Sequence, residues 1–322
     1  MTEACSSVAA VDTETTGLDW YARPFLVTGA YHDSSGGIQS RCWDLDSSDQ
    51  RREAEDFLCS YDVLVFHNAK FDLQKLVLEG LLERSEITPV SIGDTEALAH
   101  LDNEHRSKRL KDLARDVLGL ETDEAEIIKV EKRKLKLTKD DGYDKLPREL
   151  VIPYALKDAE FTLALYDYFL PRVSKFGELL ALYHQELALT LALLDMEAKG
   201  LGVDVAYLEE TAKDYAGRML ETELEIREIT GIEDPKFPNS PKQILEWFNE
   251  RGIELKATDR VALEGIDHPL GAKLLNLRKL RKIEGTYLRG LLKEQHEGIV
   301  HPWIRQHGTV TGRTASGGFQ GD

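Results

Sequence analysis

Ser7-Val8-Ala9-Ala10-Val11-Asp12-Thr13-Glu14-Thr15-Thr16-Gly17 is an apolar run of strand type that delivers two carboxylates and then breaks at a glycine. Side chains alternate faces along a strand, so positions two apart share one. Asp12 and Glu14 are therefore expected side by side at the end of a strand. Like charges so placed repel unless a cation lies between them or one takes a proton. An isolated Asp-x-Glu is common in an acidic chain, and a polar strand end opening a Thr- and Gly-rich turn accounts for it equally well. The remainder of the sequence decides between the two.

With 322 residues the chain is long enough for two domains with proper cores. A hydrophobic content of 42% with 31% charged residues sets aside disordered and fibrous classes. No apolar run approaches the length of a bilayer span, and Met1-Thr2-Glu3-Ala4-Cys5 lacks the basic start and apolar segment of a signal peptide. The three cysteines, Cys5, Cys42 and Cys59, form no C-x-x-C pair. Their pattern speaks against a disulfide framework or a zinc site and makes a reducing cytoplasm the expected location. A net charge of −17 argues against nucleic-acid binding through bulk electrostatics. The charge is uneven: residues 174–322 carry 19 basic and 24 acidic side chains, against 22 and 34 in the part before them. Within the second part, Lys273, Arg278, Lys279, Arg281, Lys282, Arg289 and Lys293 face one acid, Glu284, so any contact with a polyanion is expected to be local.

Strand and helix signals alternate through the first part. Strands are expected at Val8–Val11, Phe25–Tyr31, Ile38–Leu45 and Val63–Phe66, with a hairpin at Gly36-Gly37. Helices are expected over Asp49–Ser60, after Asp72, after Asp94 as a cap, and from Leu110 to a C-terminal Gly119. Glu121–Arg148 reads as a solvated, highly charged helix and loop. Ile152–Phe169 resumes helical periodicity and Pro171 is expected to end it. Beyond about Ser174 the chain reads as nearly continuous helix: Leu179–Lys199, Ala206–Thr230, a third opened by Ser240-Pro241, and Leu270–Lys293. Residues 309–322 read as an unfinished segment.

Three separated segments carry acids in recognisable settings: Asp12-Thr13-Glu14, then Asn68-Ala69-Lys70-Phe71-Asp72 just past an apolar strand, then Tyr154-Ala155-Leu156-Lys157-Asp158. Tyr154 and Asp158 are four apart and share a helix face. The set resembles the DEDD superfamily of 3′–5′ exonucleases in its tyrosine-bearing branch. Within that branch it is similar to the proofreading domain of family A DNA polymerases, the bacterial polymerase I type. Ile92-Gly93-Asp94-Thr95-Glu96-Ala97-Leu98-Ala99 and Arg109-Leu110-Lys111-Asp112-Leu113-Ala114 resemble the helices between the second and third motifs. His184-Gln185-Glu186-Leu187 through Gly200-Leu201-Gly202-Val203-Asp204 resembles the thumb helix and turn, Asn239-Ser240-Pro241-Lys242-Gln243 a thumb helix start, and Thr311-Gly312-Arg313-Thr314 the T-G-R that opens the palm.

The resemblance implies an α/β fold: a ribonuclease H-like mixed sheet flanked by helices over 1–172, then a mostly α-helical thumb-like region with the first palm residues over 173–322. It implies metal-dependent cleavage of DNA from the 3′ end. Building charge on the phosphoryl and leaving oxygens calls for two divalent ions about 3.5–4 Å apart, and hard oxygen ligands suit Mg²⁺ or Mn²⁺. By resemblance Asp12 bridges both ions, Glu14 and Asp158 complete the one that activates water, Asp72 holds the second largely through water, and Tyr154 positions the attacking water. Asn68 and Phe71 shape the second motif, although Phe71 also reads as plain core. Leu18 occupies the place of an apolar side chain set against the terminal base, or is a surface-turn leucine. Lys279, Arg281 and Lys282 read either as phosphate contacts across a thumb or as a solvated helix face, and Arg313 falls in the T-G-R. His67 reads as structural.

The implied partner is DNA, as a single-stranded 3′ end and as primer-template along the thumb. A separate palm and fingers chain is a further expected partner if the sequence is one half of a split polymerase rather than a truncated one. Palm aspartates and a fingers helix are missing, so polymerisation by this chain alone is not expected. Gly317-Gly318-Phe319-Gln320-Gly321 departs from the family's polar, Pro-Asn-containing continuation, which leaves the register there open. Two other readings compete: a stand-alone DEDD ribonuclease, against which the thumb-like helices and T-G-R weigh, and a non-catalytic module that docks DNA or a palm subunit, against which the complete acid set weighs.

Overall fold

The computed structural model describes residues 7–138, 141–309 and 311–317. The chain divides into two compact units, Met1–Lys199 with Pro302–Asp322, and Gly200–His301. This packing boundary differs from the expected division at 172/173.

The first unit is built on a five-stranded sheet of order β3-β2-β1-β4-β5: β1 Val8–Thr15, β2 Pro24–His32, β3 Ile38–Asp44, β4 Val63–Phe66 and β5 Ile92–Asp94. β1 pairs antiparallel with β2 and parallel with β4, and β5 continues the parallel side. The sheet is thus mixed, as expected. β1 is central and covered on both faces, which is why Ala9, Ala10 and Val11 are wholly buried and the run is continuously apolar. Helices α1 (Ser48–Cys59), α2 (Ala69–Leu78), α3 (Thr95–Asp102), α4 (Leu110–Leu118), α5 (Asp123–Lys134), α6 (Arg148–Val173) and α7 (Gly177–Lys199) follow in order. Asp94 caps α3, its carboxylate accepting the amides of Glu96 and Ala97, and Gly119 closes α4 with φ 68°. The main core joins Phe57, Leu64, Phe66, Leu73, Leu76, Leu98, Leu113 and Phe169.

Three expectations are corrected here. Helix α6 continues through Pro171 to Val173; Phe169 and Val173 are buried, and that packing outweighs one missing backbone donor. The stretch 121–148 is more than a solvated helix and loop: Ile128 is buried against Phe25 and Leu146, and Asp141 bridges to Gly17. Asp140 falls outside the described residues. Helix α7 is long and apolar enough to cross a membrane by length and composition, contrary to the sequence reading. Its Tyr183, Leu187, Leu191 and Leu194 nonetheless belong to the main core. Two short antiparallel pairs complete the strands among the described residues: β6 (Leu201–Gly202) with β7 (Ile299–Val300), and β8 (Trp303–Arg305) with β9 (Ala315–Gly317). The register of residues beyond Gly317 lies outside the described residues.

The second unit is largely helical. Its helix α8 (Val205–Thr230) is capped by Asp204 and closed by Gly231. Ser240 caps α9 (Pro241–Asn249), with the proline at the first position. A short helix α10 (Arg260–Glu264) precedes α11 (Pro269–Arg281). The rod expected over Leu270–Lys293 is interrupted: α11 passes into a π-helix at Lys282–Arg289 before α12 (Gly290–Glu294). Ile226, Phe237, Ile244, Trp247, Phe248, Leu270 and Leu274 form its core.

Candidate active site

Asp12 and Glu14 stand at the C-terminal end of β1, opposite Thr28 and Leu26 of β2. The Thr28 hydroxyl donates to the Ala155 carbonyl at 3.1 Å and ties α6 to the sheet at that level. One turn on, Asp158 is delivered beside the strand acids, and carboxylate oxygens of Asp12, Glu14 and Asp158 all lie within 4.8 Å of one another. The buried Asp72, in the first turn of α2, lies outside this trio. Its Oδ1 accepts the Thr13 amide at 3.0 Å and the Thr13 hydroxyl at 2.7 Å, so the residue between the two strand acids orients the third motif member.

Electrostatics bear out the crowding. Burial pushes Asp12 well above the ordinary carboxylate range, and the charges of Asp72, Glu14 and Asp158 push it further. Glu14 is raised by burial and then by Asp158. Asp72 is raised to about 7 by burial, against the lowering effect of the Thr13 hydrogen bonds. Asp158 is raised by burial but held down by Lys111. The cluster is therefore a set of acids whose ionised form lacks sufficient counter-charge from the protein.

Lys111 is the side chain that partly supplies it. It forms an ion pair with Asp158, and its ammonium lies 4.2 Å from the Tyr154 ring centroid and 5.0 Å from that of Phe161. Tyr154 also meets Tyr143 edge-on at 5.5 Å. Tyr143 is held there by the 121–148 segment, whose Gly142 backs onto Thr16; a Cβ at Gly142 would stand 2.2 Å from the Thr16 carbonyl carbon. Sequence reasoning missed Lys111, Tyr143 and Lys75. The signal for Lys111 was available in its quoted helix, whereas Tyr143 lay in a stretch read as solvated. Lys75, wholly buried, donates to the carbonyls of Asp19 at 2.7 Å and Trp20 at 3.1 Å, fixing the turn that follows Leu18.

Leu18 is half-buried and lines a small cavity with Glu14, Phe71, Lys132 and Tyr143. Phe71 is half-buried there rather than plain core. Asn68 adopts φ 69° at the mouth of α2, a left-handed turn that asparagine tolerates. His67 spans Thr95 Oγ1 and the Lys108 carbonyl, both at 2.8 Å, as befits a structural histidine. A larger cleft of about 1010 Å³ opens onto Tyr154 and Asp158, with Arg106, Lys108, Arg109, Lys111 and Arg115 among its walls.

In the second unit, Arg281 is half-buried and engaged with Glu223 at 2.7 Å and with Asn239. Lys279 and Lys282 are exposed. Arg313 is exposed, and its carbonyl accepts from the Thr309 hydroxyl at 2.8 Å.

Comparison with known proteins now bears on this geometry. Residues 1–174 match the family described as 3′-5′ exonuclease, and residues 205–318 match DNA polymerase family A. DNA polymerase DpoZ of Salmonella phage PMBT28 is 28% identical over 97% of this chain and 52% of its own length. DNA polymerase of Escherichia phage T5 is 29% identical over 79% of this chain and 33% of its own. DNA polymerase I of Chloroflexus aurantiacus is 29% identical over 78% of this chain and 27% of its own. The chain thus spans about half or less of the length of these curated relatives. Among solved structures, the POL domain of Pol1 from M. smegmatis, in complex with DNA primer-template and dNTP, superposes with a TM-score of 0.73 over 97% of this chain and 51% of that one. At 22% identity that likeness establishes the fold. The chain belongs to the 3′–5′ exonuclease family of DNA polymerase family A.

Proposed function

We propose that the chain is a metal-dependent 3′–5′ exodeoxyribonuclease, the proofreading portion of a family A DNA polymerase in the cytoplasm of a bacterial or phage-infected cell. The observation that carries this reading is the convergence of Asp12, Glu14 and Asp158 within 4.8 Å, flanked by Tyr154 and Asp72. An all-oxygen donor set, with Glu14 and Asp158 buried and Asp12 half-buried, whose carboxylates are raised first by desolvation and then by one another's charge, fits hard divalent cations such as Mg²⁺ or Mn²⁺.

Asp12, Glu14 and Asp158 would hold one ion, and Asp12 with Asp72 a second. When bound, such ions lower the pKa of water and stabilise charge on the leaving 3′ oxygen. Tyr154 stays protonated, because burial and the Asp158 charge push its hydroxyl well above 10. It therefore acts as a hydrogen-bonding group that orients the attacking water, not as a base. Leu18 and Phe71 offer apolar contact to the terminal base, and Asn68 borders the path. Arg106, Lys108 and Arg109 provide local positive charge in an otherwise acidic unit, suited to the phosphates of a single strand. Lys279 and Lys282 are the remaining candidates for duplex phosphate contact, and Arg313 for contact near the palm.

Matched single-stranded DNA and RNA of one sequence test the substrate class with Mg²⁺ present. The proposal expects mononucleotide release from the DNA 3′ end with at least comparable efficiency. A strong preference for RNA would replace it with a ribonuclease.

A further inference from the structure

The second acidic motif carries a buried lysine that the carboxylate chemistry does not use. Lys70 lies two residues before Asp72, with its side chain 4% exposed, and pairs with Glu197 near the C-terminal end of α7, which is wholly buried. Charges this deep persist where further polar groups complete them. Here the completing groups are the backbone of one residue of β8. Ile304 donates its N–H to Glu197 Oε1 at 2.6 Å, and Lys70 Nζ donates to the Ile304 carbonyl at 2.5 Å. An antiparallel strand presents the N–H and C=O of a given residue to the same side. The ion pair answers both, as a neighbouring strand would. The Trp303 ring covers the ammonium, its centroid 3.7 Å from Nζ.

The start of α2 is held independently by Asp94, whose carboxylate accepts the amides of Asn68 at 3.1 Å and Ala69 at 2.8 Å. Lys70 adds a second anchor on the next residue. We propose that the Lys70–Glu197 pair is a receptor for the edge of β8, and that docking of this strand positions the first turn of α2, and with it Asp72, for the exonuclease site. The inference rests on the exonuclease reading above. Its partners for Lys70 lie outside residues 1–174, and β8 lies within the stretch matching DNA polymerase family A. A polymerase-family segment therefore sets the placement of an exonuclease ligand. Lys70 and Glu197 are positioning residues.

The test uses the full chain, Mn²⁺ and labelled single-stranded DNA. Replacing both charges, Lys70→Met with Glu197→Met, removes the pair without leaving a lone buried charge. The folded double variant is expected to lose roughly tenfold in kcat at little-changed KM. The Mn²⁺ concentration giving a half-maximal melting shift should rise by a similar factor, about the size seen when groups supporting metal ligands are removed. Trp303→Leu, which keeps both charges, should move the same readouts in the same direction by less, and it decides the matter if the double variant does not fold. Unchanged kcat and Mn²⁺ dependence in the folded variant overturn the proposal. If the unaltered chain fails to cleave DNA, the exonuclease reading fails instead, and the Mn²⁺ melting shift still decides whether the pair positions the ligand.

Discussion

The acids around β1 and the bases of Lys273–Lys293 are both concentrations of one charge sign, yet they meet opposite fates. The bases are largely matched within the second unit: Lys273 pairs with Glu225 at 2.6 Å, Arg281 with Glu223 at 2.7 Å, and Arg289 with Glu284. The acids are wholly or partly buried together, with Lys111 paired to Asp158, and Asp12 and Glu14 are raised by burial and by one another's charge. A run of like charge in sequence is neutralised at little cost when it lies on a solvated helix beside acids from another helix. Like charge converging from three chain segments onto one strand end is not, and a bound cation would relieve the repulsion left there.

The largest effect that would sharpen this contrast is on cleavage. Asp158→Ala is expected to abolish nucleotide release, by on the order of 10³-fold or more, since several kcal/mol of metal-borne stabilisation depend on the ligand set. Melting should stay close to that of the parent in circular dichroism. A parallel collapse of melting temperature and activity would make Asp158 a structural residue instead.

A smaller effect concerns metal-free stability. The folded-state carboxylates are raised, so this contribution is fully present below the ordinary carboxylate range and is lost as pH rises through the folded values, toward about 7 for Asp72. Melting of metal-free protein should therefore fall between pH 5 and pH 8, and saturating Mn²⁺ should flatten the fall. Lys111→Met should steepen it, by about 2 kcal/mol near pH 8, because a partly buried counter-charge is lost. A flat metal-free profile would remove the contrast between the two clusters.

The smallest effect separates the bases from one another. Lys279→Ala and Lys282→Ala should each lower the salt slope of duplex binding by about one. Arg281→Ala should instead reduce melting temperature and leave that slope alone, because its guanidinium is already engaged with Glu223 and Asn239. Equal slopes for all three variants would return Arg281 to the phosphate-contact group.

Much of the first unit was legible because its signals are local. Val8–Val11 and Val63–Phe66 are buried strands with apolar runs, Asp94 is a cap, and Tyr154 and Asp158 share a helix face. The acids were legible through their setting as well as their identity. What escaped depends on contacts far apart in sequence. Lys111 meets Asp158 across 47 residues, and Lys70 meets Ile304 across 234. Lys111 lies in a helix the sequence does mark, but neither lysine's partner can be read from its neighbours in sequence. Gly142 and Tyr143 escaped because a charged stretch hides the tight approach of its one glycine to Thr16. The partner of Arg281 is hidden in the same way, because Glu223 sits on another helix.

The nuclease reading stands or falls on a 3′-end-labelled single-stranded DNA followed with the purified chain and its Asp12→Ala variant across a titration of Mg²⁺ or Mn²⁺. It predicts mononucleotide release that requires the cation and disappears in Asp12→Ala, while both proteins remain folded. No release at any cation concentration, or identical behaviour of the two proteins, would contradict it and leave a module that binds without cutting.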